Sequence, residues 1–294
     1  MGLTLSRKTH LALASALVAV SALACTGRTA SPKAGGTPWP SVIALPTALP
    51  SFPTFDQVRP LFDYRGDRPF DTDVMVSQSE NGVTVKSITY AGAEQNEAIL
   101  AYLVIPSGKG PFPGILYEHG AGGSREDFLG EAEKMAADHR ALALVVTRQP
   151  FYEDDLTELI LQAREARRAL DLLESQPQVD RSRIGYVGYS WGAIMGTAVL
   201  ATEPRIKAAT LMCDIPKYGT AQFDMRIFAR NARTGSAFLQ FGRLDGYYTQ
   251  DEANGFAAQM PSVTKVSWYD ADHGLNNVAT ADREAWMAEQ LGLK

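Results

Sequence analysis

Residues 83–90 alternate β-branched and polar positions, and a second run, over 98–105, is ended by Pro106. Successive side chains of a strand face opposite ways, so the alternation marks the first run as a strand, and together the two runs predict early strands joined by a polar turn across 92–96. Beyond Pro106 the pattern changes. Short apolar and β-branched runs at 114–118, 142–147, 184–189, 208–213, 238–241 and 263–269 alternate with stretches of helical spacing. Those stretches, at 125–138, 156–174, 193–201, 223–230, 250–260 and 281–291, predict helices. In the longest, Leu159, Ala163, Ala166, Leu170 and Leu173 make one apolar stripe. Strands alternating with helices predict βαβ units and an α/β fold, a mostly parallel sheet with helices on both faces. In such sheets ligands bind beyond the carboxyl ends of the strands, so the residues just after strands are the functional candidates.

The first sixty residues obey a different logic. Arg7 and Lys8 precede an uncharged, mostly apolar run over 11–24. That run is shorter than the roughly 20 apolar residues of a membrane helix. A positive start, an apolar middle and Ala22-Leu23-Ala24 at the end are the parts of a secretory signal peptide over 1–24. Cys25 comes next, and the segment resembles a bacterial lipobox, in which that Cys carries lipid. Plain cleavage and secretion is the second route, and a buried N-terminal helix the third. Residues 25–60 include Pro32, Pro38, Pro40, Pro46, Pro50, Pro53 and Pro60 with Gly and Ser between them, which predicts an extended linker. The folded part is then 61–294, a size suited to one domain. The expected location is the bacterial cell envelope, as a membrane-anchored lipoprotein or as a periplasmic or secreted protein.

Composition narrows the function. The chain has 294 residues, is 45% hydrophobic, and carries Lys+Arg 28 against Asp+Glu 33, a net charge of −5. That apolar share supports a core and excludes disorder throughout. The acidic balance argues against a nucleic-acid partner, and without residues 1–24 the charge is 26 − 33 = −7, so contact with a membrane is expected only through an N-terminal lipid. Two cysteines are too few for a disulfide framework, and Cys213 reads as a small buried hydrophobe. There is no His-Glu-x-x-His helix, no Cys/His cluster and no dinucleotide fingerprint, so neither a metal nor a cofactor is expected. The oligomeric state is left open.

The candidate chemistry begins at Gly188-Tyr189-Ser190-Trp191-Gly192, between a predicted strand and a predicted helix. This is the Gly-x-Ser-x-Gly elbow in its required context, where a strained turn exposes the Ser hydroxyl. A Ser hydroxyl needs an adjacent base. Of four histidines, His10 lies in the signal segment, His119 in a Gly-rich turn and His139 at the end of a charged helix. His273 comes after the last strand and is the candidate base. An imidazole base needs a carboxylate to fix its tautomer. Asp245 comes after the strand at 238–241, and the order Ser190, Asp245, His273 is the order of this architecture. Asp270, Asp272 and Asp224 are the rivals. His119-Gly120-Ala121-Gly122-Gly123 comes directly after the strand at 114–118 and fits a loop that donates a backbone N–H to an oxyanion. Ala121 is the favoured donor there, Gly122 the alternative, and Trp191, just after the serine, the second donor. His119 then shapes the loop.

Four stretches, 113–120, 183–192, 242–246 and 272–274, resemble the dienelactone hydrolase-like and acetyl-xylan-esterase-like serine esterases of the α/β-hydrolase superfamily. The resemblance spans residue 61 to the C-terminus. It implies an α/β-hydrolase fold with an eight-stranded, mostly parallel sheet and metal-free hydrolysis through an acyl-enzyme. It implies Ser190 as nucleophile, Asp245 as orienting acid and His273 as base. Dienelactone hydrolase itself carries Cys at the elbow, so Ser190 does not imply lactone chemistry. Glu118 stands where an apolar residue is usual, with Arg125 or Arg148 as candidate partners. The short connection between Cys213 and Ala237 leaves no room for a large lid.

The pocket is expected in the loops at 148–154, 215–218 and 246–248. Its lining candidates are His119, Arg148, Tyr152, Trp191, Tyr218, Tyr247 and Tyr248. Arg148 is open to two readings, a binder of a substrate carboxylate or phosphate, or a partner of Glu118 or Asp154. The expected substrate is a small-molecule ester with a short acyl group or a carbohydrate alcohol. A serine peptidase of the aminopeptidase kind and a non-catalytic surface binding protein are the alternatives.

Overall fold

A computed structural model describes residues 53–94, 98–150, 155–214, 219–220, 223–233 and 235–293. The signal segment, Cys25, Tyr152 and Tyr218 lie outside the described residues. The expected linker, 25–60, does not stay extended to its end. Helix α1 (Phe55–Val58) and a 3-10 turn (Arg59–Phe62) bury Val58 and Phe62 completely. Pro60 stands at the start of that turn, where a missing N–H costs nothing, and Phe55, Val58 and Phe62 recur at helical spacing. The boundary drawn at residue 60 from proline content is therefore corrected. Three arginines of the long helix fasten the segment from Leu61 to Gly66. Arg164 donates to Leu61 O (2.7 Å), Arg167 to Phe62 O (2.6 Å) and Arg168 to Gly66 O (3.0 Å).

In chain order the elements are β1 (Asp73–Glu80), β2 (Val83–Ala91), β3 (Ala98–Pro106), β4 (Phe112–Glu118), α2 (Leu129–His139), β5 (Leu142–Val146), α3 (Asp155–Ser175), β6 (Val179–Tyr189) and α4 (Trp191–Thr202). Next come β7 (Ile206–Met212), the two-residue strands β8 (Gly219–Thr220) and β9 (Phe223–Asp224), α5 (Arg226–Ala229), β10 (Ser236–Gly242), α6 (Gln250–Ala257), β11 (Val263–Tyr269) and α7 (Asn277–Gln290). The main sheet has nine strands in the order β1-β2-β3-β5-β4-β6-β7-β10-β11. Pairing is parallel from β5 across to β11 and antiparallel from β1 to β5.

The count of eight strands is thus one short. The additional strand, β1, is exposed along its whole length, so it carries no buried apolar face for a pattern to reveal. Its signal is the turn: Asn81 and Gly82 both have positive φ (49° and 80°), and Glu80 pairs with Val83 across them. Asn-Gly is the preferred pair for a two-residue hairpin loop of this handedness. By contrast, β4 and β5 are buried at every position, as central parallel strands covered on both faces must be.

Helices α3, α4, α5 and α6 cover one face together with α1, and α2 and α7 cover the other. Helix α4 is buried over nearly its whole length, which fits its run of Gly, Ala, Ile, Met and Val. The residues expected to form a helix at 223–230 divide into β9 and the single turn α5, because Asp224 takes the Arg226 N–H in a turn of its own (2.9 Å).

Candidate active site

The elbow is built by β6 running into α4. Ser190 sits at φ 51°, ψ −112°, a conformation that L-residues avoid. The turn closes only because its flanks lack side chains. A Cβ on Gly188 would come within 2.3 Å of Gly192 O, and one on Gly192 within 2.4 Å of Glu118 O. The Ser190 N–H is held by Met212 O (2.8 Å) and the Gly192 carbonyl by the Tyr186 hydroxyl (2.6 Å). The strain is locked from both sides, and the side chain is left partly exposed at the carboxyl end of the sheet.

His273 and Asp245 arrive from the loops after β11 and β10. His273 Nε2 lies 2.9 Å from Ser190 Oγ, and His273 Nδ1 lies 2.6 Å from Asp245 Oδ2. The Asp245 side chain is fully buried and its other oxygen accepts the Tyr247 N–H (3.0 Å). A buried carboxylate on Nδ1 fixes the tautomer and leaves Nε2 to face the hydroxyl. The Cys213 thiol donates to His273 O (3.1 Å), so this residue steadies the histidine loop as well as filling space. Burial pushes that thiol up to about 12, which keeps it uncharged. The three rivals of Asp245 are engaged elsewhere: Asp270 with Arg243, Asp272 with the Gly274 N–H, and Asp224 with Arg226.

The loop from His119 to Gly123 lies against the elbow: a Cβ on Gly120 would stand 3.3 Å from Ser190 Cβ. Ala121 is exposed there, Gly122 likewise lies toward solvent, and Gly122 has φ 71°. With Trp191, Gln149, Pro150, Glu158 and Gln162, this loop lines a cleft of about 560 Å³. His119 and Arg148 also border that cleft, yet both are buried and occupied. Arg148 donates from Nε to Glu118 (2.6 Å), from Nη1 to Gln162 (2.5 Å) and from Nη2 to the His119 carbonyl, while its backbone N–H meets His119 Nε2 (3.0 Å). Of the two readings of Arg148, the pairing with Glu118 is the one observed, and every guanidinium nitrogen has a protein partner. Asp154 lies outside the described residues.

Burial, opposed by Arg148, pushes Glu118 up to about 7. Burial and the Arg148 charge push His119 down to about 4. His119 Nδ1 is 2.6 Å from Gly120 O, an acceptor, so Nδ1 carries the proton and Nε2 accepts from Arg148.

Of the other aromatics, Tyr247 is exposed and its ring lies 4.7 Å from that of His273, with Tyr189 at 5.4 Å. Tyr248 is buried against Phe241 and Trp268, so it walls the core and not a cleft. Its hydroxyl accepts the Gly242 N–H (3.3 Å). Two groups escaped detection from sequence. Gln162 gave no signal, being one polar residue among many on α3. Asp214, after β7, is buried with the Thr197 hydroxyl as partner (2.6 Å), and burial pushes it up to about 7. Its place after a strand is the signal that could have raised it. Among the described residues, Cys213, Asp245 and His273 also come close enough together to hold a metal ion, although each is already engaged as described.

A sheet of this order with a strained serine after its central β6, an acid after β10 and a histidine after β11 defines an α/β-hydrolase. The chain belongs to the dienelactone hydrolase family, whose sequence model matches residues 99–291. No curated protein matches it in sequence. Among solved structures, acetyl xylan esterase 1 from Thermoanaerobacterium sp. superposes with a TM-score of 0.64 at 14% identity, covering 82% of this chain and 95% of that one. Acetyl xylan esterase from Paenibacillus sp. gives 0.61 at 17%, covering 80% and 93%. An S-formylglutathione hydrolase from Agrobacterium tumefaciens gives 0.61 at 13%, covering 74% and 99%. At these identities the shared property is the fold.

Proposed function

We propose that this protein is a serine esterase that cleaves small carboxylic esters through an acyl-enzyme. The observation that carries the reading is the position of His273, 2.6 Å from a buried carboxylate and 2.9 Å from a strained serine hydroxyl. In this reading Ser190 attacks the ester carbonyl and His273 Nε2 takes its proton. The backbone N–H groups of Trp191 and Ala121, with Gly122 as the alternative to Ala121, receive the developing oxyanion. His273 then returns the proton to the leaving alcohol, and a water repeats the sequence to release the acid. Family membership, the open cleft beside Ser190 and the short connection from β7 to β10 all favour a small ester with a short acyl group or a carbohydrate alcohol.

The test is intact mass after exposure to a fluorophosphonate. One adduct on Ser190, absent in Ser190→Ala, together with hydrolysis of short p-nitrophenyl esters, is the expected result. A folded protein that takes no adduct would overturn the reading and favour a binding role.

The reading includes export, which rests on the residue pattern of 1–24, and lipidation of Cys25. The expected result is recovery of the protein in the membrane fraction with the mass of a lipidated Cys25, and its release in Cys25→Ala. An unlipidated, soluble wild type would leave secretion alone.

A further inference from the structure

We propose that Arg148 is the positioning residue of the oxyanion loop, holding the His119–Gly120 peptide in register with Ser190 from a seat formed by Glu118 and Gln162. The proposal rests on the esterase reading and adds what sets its rate.

Strands β4 and β5 are neighbours, with Glu118 paired to Val146, so Arg148 emerges beside the start of the loop. Its backbone N–H and its Nη2 both reach His119, one at the ring and one at the carbonyl. The His119 ring in turn fixes the Gly120 carbonyl (2.6 Å). The opposite limit is set by the elbow itself, because Gly192 leaves no more room than its missing Cβ against Glu118 O and His119 O (2.4 and 2.8 Å). The peptide is therefore pulled from one side and stopped on the other. A planar guanidinium suits this task, since its fork presents several donors in fixed directions.

Stability alone does not explain such a group. Glu118 is fully buried and the Arg148 side chain nearly so. A buried ion pair is often no more stabilising than an apolar pair of the same volume. What the pair adds is direction: Glu118 and Gln162 aim the fork, and the fork aims the loop. Glu118 Oε1 has no protein partner, and a cavity of about 10 Å³ beside it, bordered also by Tyr90 and Glu165, is the size of one water. The seat thus has a small reserve of space, and the loop end of the fork has none. Misplacement of a catalytic donor by about 1 Å costs on the order of 10²-fold in rate.

The experiment compares the parent with Arg148→Lys and Gln162→Met. It measures kcat and KM on p-nitrophenyl acetate and Ki for a trifluoromethyl ketone, whose serine adduct places an oxyanion in the same loop. Arg148→Lys is expected to lower kcat about 10- to 100-fold with KM within about threefold, and to raise Ki by the same factor as kcat/KM falls. Gln162→Met keeps the Glu118 pair and is expected to lose about threefold in both, so the proposal stays testable if Arg148→Lys fails to fold. Folded variants with parental kcat would overturn the proposal, as would a fall in kcat with unchanged Ki. A parent without hydrolysis or fluorophosphonate adduct would overturn the esterase reading and this proposal with it, whereas an active parent with indifferent variants sinks only the latter.

Discussion

His119 and His273 each come after a strand of the same sheet, and each stands one loop from the same serine. They differ in what faces the ring. His273 has the Asp245 carboxylate at Nδ1 and the Ser190 hydroxyl at Nε2, and its side chain is about a quarter exposed (24%). His119 has the Gly120 carbonyl at Nδ1 and the Arg148 N–H at Nε2, and is 3% exposed. A carboxylate stabilises the imidazolium that a general base must become, whereas burial, with the Arg148 charge nearby, disfavours it at His119. The same residue type in the same topological place is thus a candidate base in one loop and a fixed neutral strut in the other.

The comparison breaks most sharply at the serine. Ser190→Ala and His273→Ala should each lower kcat for ester hydrolysis on the order of 10⁶-fold while leaving the far-ultraviolet circular dichroism unchanged. Turnover retained in either variant would remove the distinction between the two histidines. Asp245→Asn keeps the shape and offers His273 the wrong tautomer, so kcat should fall about 10⁴-fold.

The strut has a signature in acid. His119 is pushed down to about 4 in the folded chain, whereas an unfolded His titrates near 6.5. The unfolded state therefore binds the extra proton first as pH falls. This contribution to stability is complete above about pH 6.5 and is lost between there and pH 4, about 3 kcal/mol in all. Glu118 and Asp214, pushed up to about 7, act in the opposite direction over the same range, so the slope is read as the difference between the parent and His119→Gln in urea unfolding at a series of pH values. The same variant should lower kcat only about tenfold and still take the fluorophosphonate. A loss as deep as that of His273→Ala would mean that His119 shares the proton transfer. The smallest effect is expected at Tyr247, whose exposed ring flanks His273: Tyr247→Ala should alter KM for aryl esters no more than about threefold.

Much of the site was legible because its chemistry is local in sequence. Gly188, Ser190 and Gly192 announce a turn that no larger residues can make, and Asp245 and His273 come after runs whose apolar pattern marks them as strands. Edge strand β1 was not legible from periodicity, since a strand exposed on both faces has none; only Asn81-Gly82 betrayed it. The end of the linker misled for the reverse reason: proline content suggested extension, but two of those prolines border helical turns whose apolar residues find a place on the core.

What the sequence determined by itself was the order of the main-sheet strands from β2 onward, the class of sheet and the set of Ser190, Asp245 and His273, because each depends on spacing along the chain. The occupation of Arg148 by Glu118, Gln162 and His119, the engagement of Asp270 and Asp272 away from His273, and the neutrality of His119 were decided by tertiary structure alone. Those outcomes depend on which side chains, distant in sequence, share a buried volume, where any unpaired charge would be costly and partners must be found across strands.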